Sequence, residues 1–114
     1  MNGDDLTLGR AQAEVDTTIQ ALGGYWEPLA NLARLFEECG ELARAVNQAH
    51  GPKRIKATEA QAAVADELGD VLYVLLVLAN SLDVDAGAAL AGVIAKVRGR
   101  DMVAGEREPG RDAP

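Results

Sequence analysis

The chain reads as all-α, a four-helix bundle-like protomer that oligomerises through its long central helices. Three observations predict this. Apolar residues make up 48% of the sequence, yet aromatics make up only 4%, and Ala and Leu dominate. Apolar residues recur at three- and four-residue spacing in successive stretches, the period of a helix rather than of a strand. Between those stretches stand helix-stopping or capping signals at Gly23-Gly24, Gly51-Pro52 and Asp85. At 114 residues the chain supports one domain with a modest core.

The first helix is expected from Thr7 or Leu8 to Leu22, with Leu8, Ala11, Val15, Ile19 and Leu22 on one stripe. Residues 1–6 are expected to be a flexible N-terminus. Gly23 and Gly24 end the helix, because successive glycines stop it and admit positive φ. Tyr25 and Trp26 follow, either plugging the end of a bundle or offering a stacking surface for a flat ring. Pro28 suits the first turn of a second helix, where its missing N–H costs nothing. That helix is expected to run to Ala49. Leu32, Leu35, Phe36, Cys39, Leu42 and Val46 fall on one stripe, with Glu38 on its edge and Glu41 one turn further round. Cys39 is expected to be a small buried hydrophobe. His50, at the helix exit and without a second His one turn away, is expected to face solvent or the helix dipole. Lys53, Arg54 and Lys56 form a loop run, either simply solvated or leaning toward a phosphate.

Thr58 opens the third helix through a capping box with Gln61. This helix is expected to reach Leu82. From Val71 to Ala79 it is apolar all round, the mark of a helix covered on every side. Leu68, Leu72, Leu75 and Ala79 share one face. Glu67 and Asp70 lie opposite, on a row that continues as Val71, Val74, Val77 and Leu78. So small a chain is not expected to bury such a helix alone, which predicts a homodimer or homotetramer formed across helices two and three. Asp85 can cap a fourth helix from Ala86 to Asp101, with Leu90, Val93, Ile94 and Val97 as its core stripe. The helical domain is thus placed at 7–102. Residues 103–114 are Gly, Pro and charge with little to bury, and are expected to be a disordered tail.

The net charge of −7 argues against nucleic acid or an anionic membrane as partner, since either selects a basic face. The N-terminus lacks the basic start and apolar run of a signal peptide. The longest apolar run is too short to cross a bilayer. One cysteine gives no internal disulfide and fits a reducing, cytoplasmic compartment.

The acids carry the chemistry. Glu38 and Glu41 on the second helix and Glu67 and Asp70 on the third repeat one three-residue spacing, and both pairs border apolar residues. Carboxylates beside a core are costly unless something positive meets them. Four hard oxygen donors, with no His or Cys at usable spacing, prefer Mg²⁺, with Mn²⁺ as a substitute, over zinc. A di-iron bundle needs Glu-x-x-His pairs, which are absent. Such ions can bridge phosphate oxygens and lower the pKa of an attacking water. Glu37, next to Glu38, can act as base for that water or hold a water-bridged ion.

The pattern Glu37-Glu38-x-x-Glu41 followed by Glu67-x-x-Asp70 resembles the signature of the MazG-like nucleotide pyrophosphohydrolases, within the all-α NTP pyrophosphatase superfamily. The likeness extends through AEVD near Glu14, PLANLARLFEECGELARAVN, DELGDVLYVLLVLANSLDV and KVRGRD, about residues 11 to 101. It implies Mg²⁺-dependent hydrolysis of a nucleoside triphosphate between the α- and β-phosphates, giving the monophosphate and pyrophosphate in nucleotide-pool house-cleaning. It also implies an oligomer with active sites near subunit contacts. Carried over by position, Glu38, Glu41, Glu67 and Asp70 are metal ligands and Glu37 assists the water. Lys96 and Arg100 match basic positions that meet phosphates, and Asn80 matches a nucleotide contact. Trp26 is a candidate for holding the base. Phosphoribosyl-ATP pyrophosphatase shares the acid logic, and a non-catalytic helical dimer acting as scaffold or regulator is the reading from another class.

Overall fold

The computed structural model describes residues 5–107, with side chains as far as Arg100. Its element order is α1 (Leu8–Ala21), α2 (Pro28–His50), α3 (Ala57–Ser81) and α4 (Ala86–Arg107). Among the described residues there is no strand. No helix is long and apolar enough to cross a membrane.

Each helix start and stop has a local cause. The Thr7 hydroxyl accepts from the Arg10 N–H at 3.1 Å and caps α1. Gly23 and Gly24 then turn the chain at φ +108° and +102°, a region in which side-chain-bearing residues are strained. Pro28 occupies the first turn of α2. Asp85 receives the Ala88 N–H at 3.0 Å and caps α4. The expected capping box at Thr58 does not form. Helix α3 is capped two residues earlier, with Ala57 as its first residue, and its cap residue Lys56 makes no side-chain hydrogen bond. Thr58 is therefore already inside the first turn, and the Lys56 carbonyl accepts from Ala60 instead. Helix α4 runs on to Arg107, past the Asp101 at which it was expected to end. Residues 108–114 of the expected tail, and 1–4 of the expected flexible N-terminus, lie outside the described residues.

Helices α2 and α3 form the most extensive pairing, an antiparallel hairpin closed by the 51–56 loop. Small and β-branched residues let them approach: Ala45, Ala60 and Val74 are buried between the helices, Val74 at 1% exposure. Helix α1 packs on the C-terminal half of α3, where Val15 and Ile19 meet Leu76 and Val77. A polar latch fastens α1 to the far end. The Gln12 amide donates to Asn80 Oδ1 at 3.0 Å and to the Val84 carbonyl at 2.8 Å. Its oxygen accepts from the Ala86 N–H at 2.9 Å, and Asn80 Nδ2 donates to the Gln12 carbonyl at 3.0 Å. Helix α4 leaves this junction packed against α1.

The single stripe expected on α2 is split. Leu35 and Leu42 turn inward and are half-buried, while Phe36 (68% exposed), Cys39 and Val46 face outward. Cys39 is thus exposed, not the buried hydrophobe expected of it. The face that α3 covers contains Asn31, Glu38 and Ala45, so partner contact selects a flank about one residue round from the greasiest arc. What remains outside is regular. Leu29, Phe36, Cys39, Ala43 and Val46 are exposed at three-, four- or seven-residue spacing on α2, and Ala65, Leu68, Leu72 and Leu75 are exposed at three or four on α3. Leu68, Leu72 and Leu75 are exposed on the flank of α3 opposite Tyr73 and Val77. This is the spacing of helices that pack along a shared seam. All the charged residues of α2 (Arg34, Glu37, Glu38, Glu41, Arg44) lie off its seam, as do Asp66, Glu67 and Asp70 on α3.

Replacing Gln12 by Ala removes the latch between α1 and the α3–α4 turn. With three side-chain hydrogen bonds lost, some from water-accessible groups, the expected cost is about 1–3 kcal/mol. Thermal denaturation followed by circular dichroism, at fixed protein concentration, measures it.

Candidate metal and nucleotide site

Glu38 sits mid-way along α2 on the flank facing α3, and Glu67 and Asp70 sit on the opposing flank of α3. One turn of helix separates Glu67 from Asp70, so both side chains point the same way. A carboxylate oxygen from each of Glu38, Glu67 and Asp70 lies within 4.8 Å of the others. Glu38 and Glu67 are half-buried and Asp70 is exposed. Glu41 stands just outside this trio. It lines a neighbouring depression of about 170 Å³ with Arg44, Ala45, Gln48, Ala63 and Glu67. Glu37 is exposed on the adjoining flank of α2.

The electrostatics of the cluster register at Glu67. Its pKa is raised above the ordinary carboxylate value, first by loss of solvent and then by repulsion from Asp70, Glu41, Glu38 and Asp66. Like charges held this close disfavour the ionised form. A divalent cation among the three oxygens reverses that preference. The donor set, carboxylate oxygens only, fits a hard cation.

On the other side of the acids lies a second, deeper recess. Trp26, Tyr25, Tyr73, Asn31 and Arg34 line a cavity of about 230 Å³ together with the buried Ile19 and Val77 and the exposed Leu22. Arg34 is one turn before Glu38 on α2, and Tyr73 one turn after Asp70 on α3, so acids and cavity share one groove of the hairpin. The Arg34 guanidinium stands over the Trp26 ring, 5.7 Å from its centroid. Asn31, 2% exposed, donates to the Trp26 carbonyl at 3.2 Å and fixes the loop. Tyr25 donates to Asp16 at 2.6 Å. Burial first, then this bond, raises the Tyr25 pKa above its usual value.

The remaining expected site residues are placed apart. Lys96 and Arg100 are exposed on α4, outside the acid trio and both recesses. The Asn80 amide is engaged with Gln12 through both its oxygen and its nitrogen. Trp26 is 60% exposed rather than a bundle plug. Sequence reading missed Arg34, Arg44, Asn31 and Tyr73. The available signal was their spacing, because each lies three, four or seven residues from a motif acid and so on its flank.

The fold and site define an all-helical protein whose converging carboxylates, beside an aromatic recess, make a donor set suited to a hard divalent cation. Residues 27–103 match the MazG nucleotide pyrophosphohydrolase domain, and the chain belongs to that family. It is accordingly a hydrolase acting on nucleotide pyrophosphate bonds. The uncharacterised protein YpjD of Bacillus subtilis (strain 168) is 51% identical over 98 residues, covering 85% of this chain and 88% of that protein. The crystal structure of YpjD from Bacillus subtilis superposes with a TM-score of 0.74 at 49% identity, over 84% of this chain and 97% of the other. A Bacillus-conserved MazG protein, a nucleotide pyrophosphohydrolase, gives a TM-score of 0.71 at 41% identity, over 82% and 90%.

Glu67→Gln is expected to raise the melting temperature of the metal-free protein at neutral pH. The sign follows from the raised folded pKa. Above that pKa the ionised Glu67 penalises the folded state, and the penalty fades as pH falls through it toward the unfolded value. The metal-free wild type is therefore expected to gain stability from this group on mild acidification, and E67Q to lose that part of the pH dependence. Differential scanning calorimetry across a pH series checks both.

Proposed function

We propose that the chain is a Mg²⁺-dependent nucleoside triphosphate pyrophosphohydrolase that cleaves between the α- and β-phosphates, releasing a monophosphate and pyrophosphate. The observation that supports this reading best is the convergence of Glu38, Glu67 and Asp70 within 4.8 Å, in a member of this family. Glu38, Glu67 and Asp70, with Glu41 at the edge, are the residues that would hold Mg²⁺, and Mn²⁺ is an acceptable substitute. When bound, the ion supplies neutralisation of phosphate oxygens and an acidified water. Glu37 is the candidate general base. It accepts the proton as the water oxygen bonds to phosphorus and the bridging P–O bond breaks, and the electron pair leaves with pyrophosphate. Arg44, beside Glu41 and Glu67, is placed to meet the charge of the departing group. Lys96 and Arg100 are further phosphate candidates. Asn80 can contact a nucleotide only through capacity left over from the Gln12 latch. The role fits removal of unwanted nucleotides in a cytoplasmic pool.

The exposed Leu68, Leu72 and Leu75 support a second reading of the same fold, that another copy of the chain covers this flank. A homodimer is the smallest assembly that does so, and the outward seam of α2 allows a homotetramer.

Pyrophosphate release from a panel of NTPs and dNTPs, with and without Mg²⁺, tests the activity. Glu38→Gln or Asp70→Asn is expected to lower turnover by about 100-fold or more while leaving helicity nearly unchanged. Undiminished turnover in either variant refutes the site. Hydrolysis confined to phosphoribosyl-ATP moves the enzyme to that neighbouring activity. Mg²⁺ at about ten times its Kd adds about 1.4 kcal/mol to the stability of the wild type. That is a rise in Tm of roughly 6 °C, which D70N is expected to lose. Leu72→Glu is expected to reduce the assembly to monomers in light scattering.

A further inference from the structure

We propose that the recess formed by Tyr25, Trp26, Asn31, Arg34 and Tyr73 is the base-reading pocket of this enzyme, and that Arg34 selects guanine over adenine in it. The proposal rests on the nucleotide reading above and deepens it.

Position is the first support. Asn31 lies seven residues before Glu38, about 10 Å along α2, and Arg34 is half-way between them. A phosphate chain held at the acids therefore points its sugar along the groove and delivers its base to this recess. Size is the second. At about 230 Å³ the cavity falls below the roughly 300–1,000 Å³ of a site that encloses a drug-sized molecule, so it takes one ring system rather than a whole nucleotide. Lining is the third. Three aromatic rings meet there, and the exposed Trp26 ring offers a face to a flat partner.

Hydrogen-bond chemistry sets the preference. Tyr25 and Asn31 already spend donors on Asp16 and on the Trp26 carbonyl. Arg34, held by the indole, is the cation of this lining. A guanidinium is a planar fork of donors with no acceptor. Guanine presents O6 and N7 side by side and satisfies that fork. Uracil and thymine offer single carbonyls. Adenine puts its amino donor beside N7 and N1 and repels the fork, whereas cytosine keeps an acceptor pair, O2 and N3, on its far edge, so the discrimination set by Arg34 is guanine against adenine.

Trp26 is the sole tryptophan of the chain and reports on its own pocket. GMP, UMP, AMP and CMP are titrated while its fluorescence is followed, reading the half-saturation concentration rather than the depth of quenching. GMP is expected to bind about tenfold more tightly than AMP, with UMP between them. Arg34→Gln and Arg34→Lys are expected to bring the GMP/AMP ratio close to one without abolishing binding, because the lysine keeps the charge and loses the fork. Equal affinity for the four bases in the wild type, or an unchanged ratio in both variants, overturns the assignment of Arg34. Turnover of triphosphates without any quenching overturns the pocket and leaves the hydrolase reading intact. Ordered quenching in a protein that never turns over does the reverse.

Discussion

Glu38, Glu67 and Asp70 repel one another across the contact between α2 and α3, and the hairpin must outweigh that repulsion to exist without a cation. It does so by being apolar on either side of the charged stretch. Ala45 and Ala60 close the helices together toward the connecting loop, and Val74 packs them beyond Asp70. The raised pKa of Glu67 shows the tension that remains. The like charge that makes Glu67 hold its proton more tightly also favours a cation among these oxygens. The same close approach that packs the hairpin thus prepares its site.

Helix α1 contributes no acid to the cluster, yet the recess beside the acids depends on it. Its Ile19 lies under the recess, and its Asp16 holds the Tyr25 hydroxyl. The Gln12–Asn80 latch sets where α1 lies on α3. Asn80 therefore has a structural duty that any nucleotide contact must share. The charged and aromatic halves of the groove are supplied in this way by different pairings, α2 with α3 for the acids and α1 with α3 for the apolar lining beside the rings.

Much of this was legible in the sequence, and the exceptions share a cause. Helix existence and most boundaries follow from period and punctuation: Pro28, Gly23-Gly24 and Asp85 each act locally and need no partner. The acid pairs were legible because a three-residue spacing on a helix fixes direction. What periodicity does not determine is which part of a wide apolar arc meets a neighbour. Hence Cys39 and Phe36 were placed inward and found outward, and the polar Asn31 was found at the core. The capping box failed for a related reason. Thr58-Glu59-Ala60-Gln61 is compatible with a cap at Thr58 or with one two residues earlier, at Lys56, and the fold takes the earlier. Arg34 lay on the same flank as Glu38, but a basic residue on a helix surface is ordinary until an aromatic ring is seen beneath it. Trp26 comes to that position through a loop, and no helical period encodes it.

The two acid-bearing helices are neighbours along the chain, joined by the short 51–56 link, whereas the latch spans 68 residues from Gln12 to Asn80. Contacts between neighbours along the chain cost less chain entropy to form than contacts between distant segments. The acid-bearing hairpin is consequently the part of the molecule able to assemble first during synthesis, ahead of α4, with α1 waiting for the end of α3 to emerge before it can settle. A chain interrupted near residue 85 already contains every acid of the cluster, and what it lacks is the α4 start that the Gln12 side chain grips.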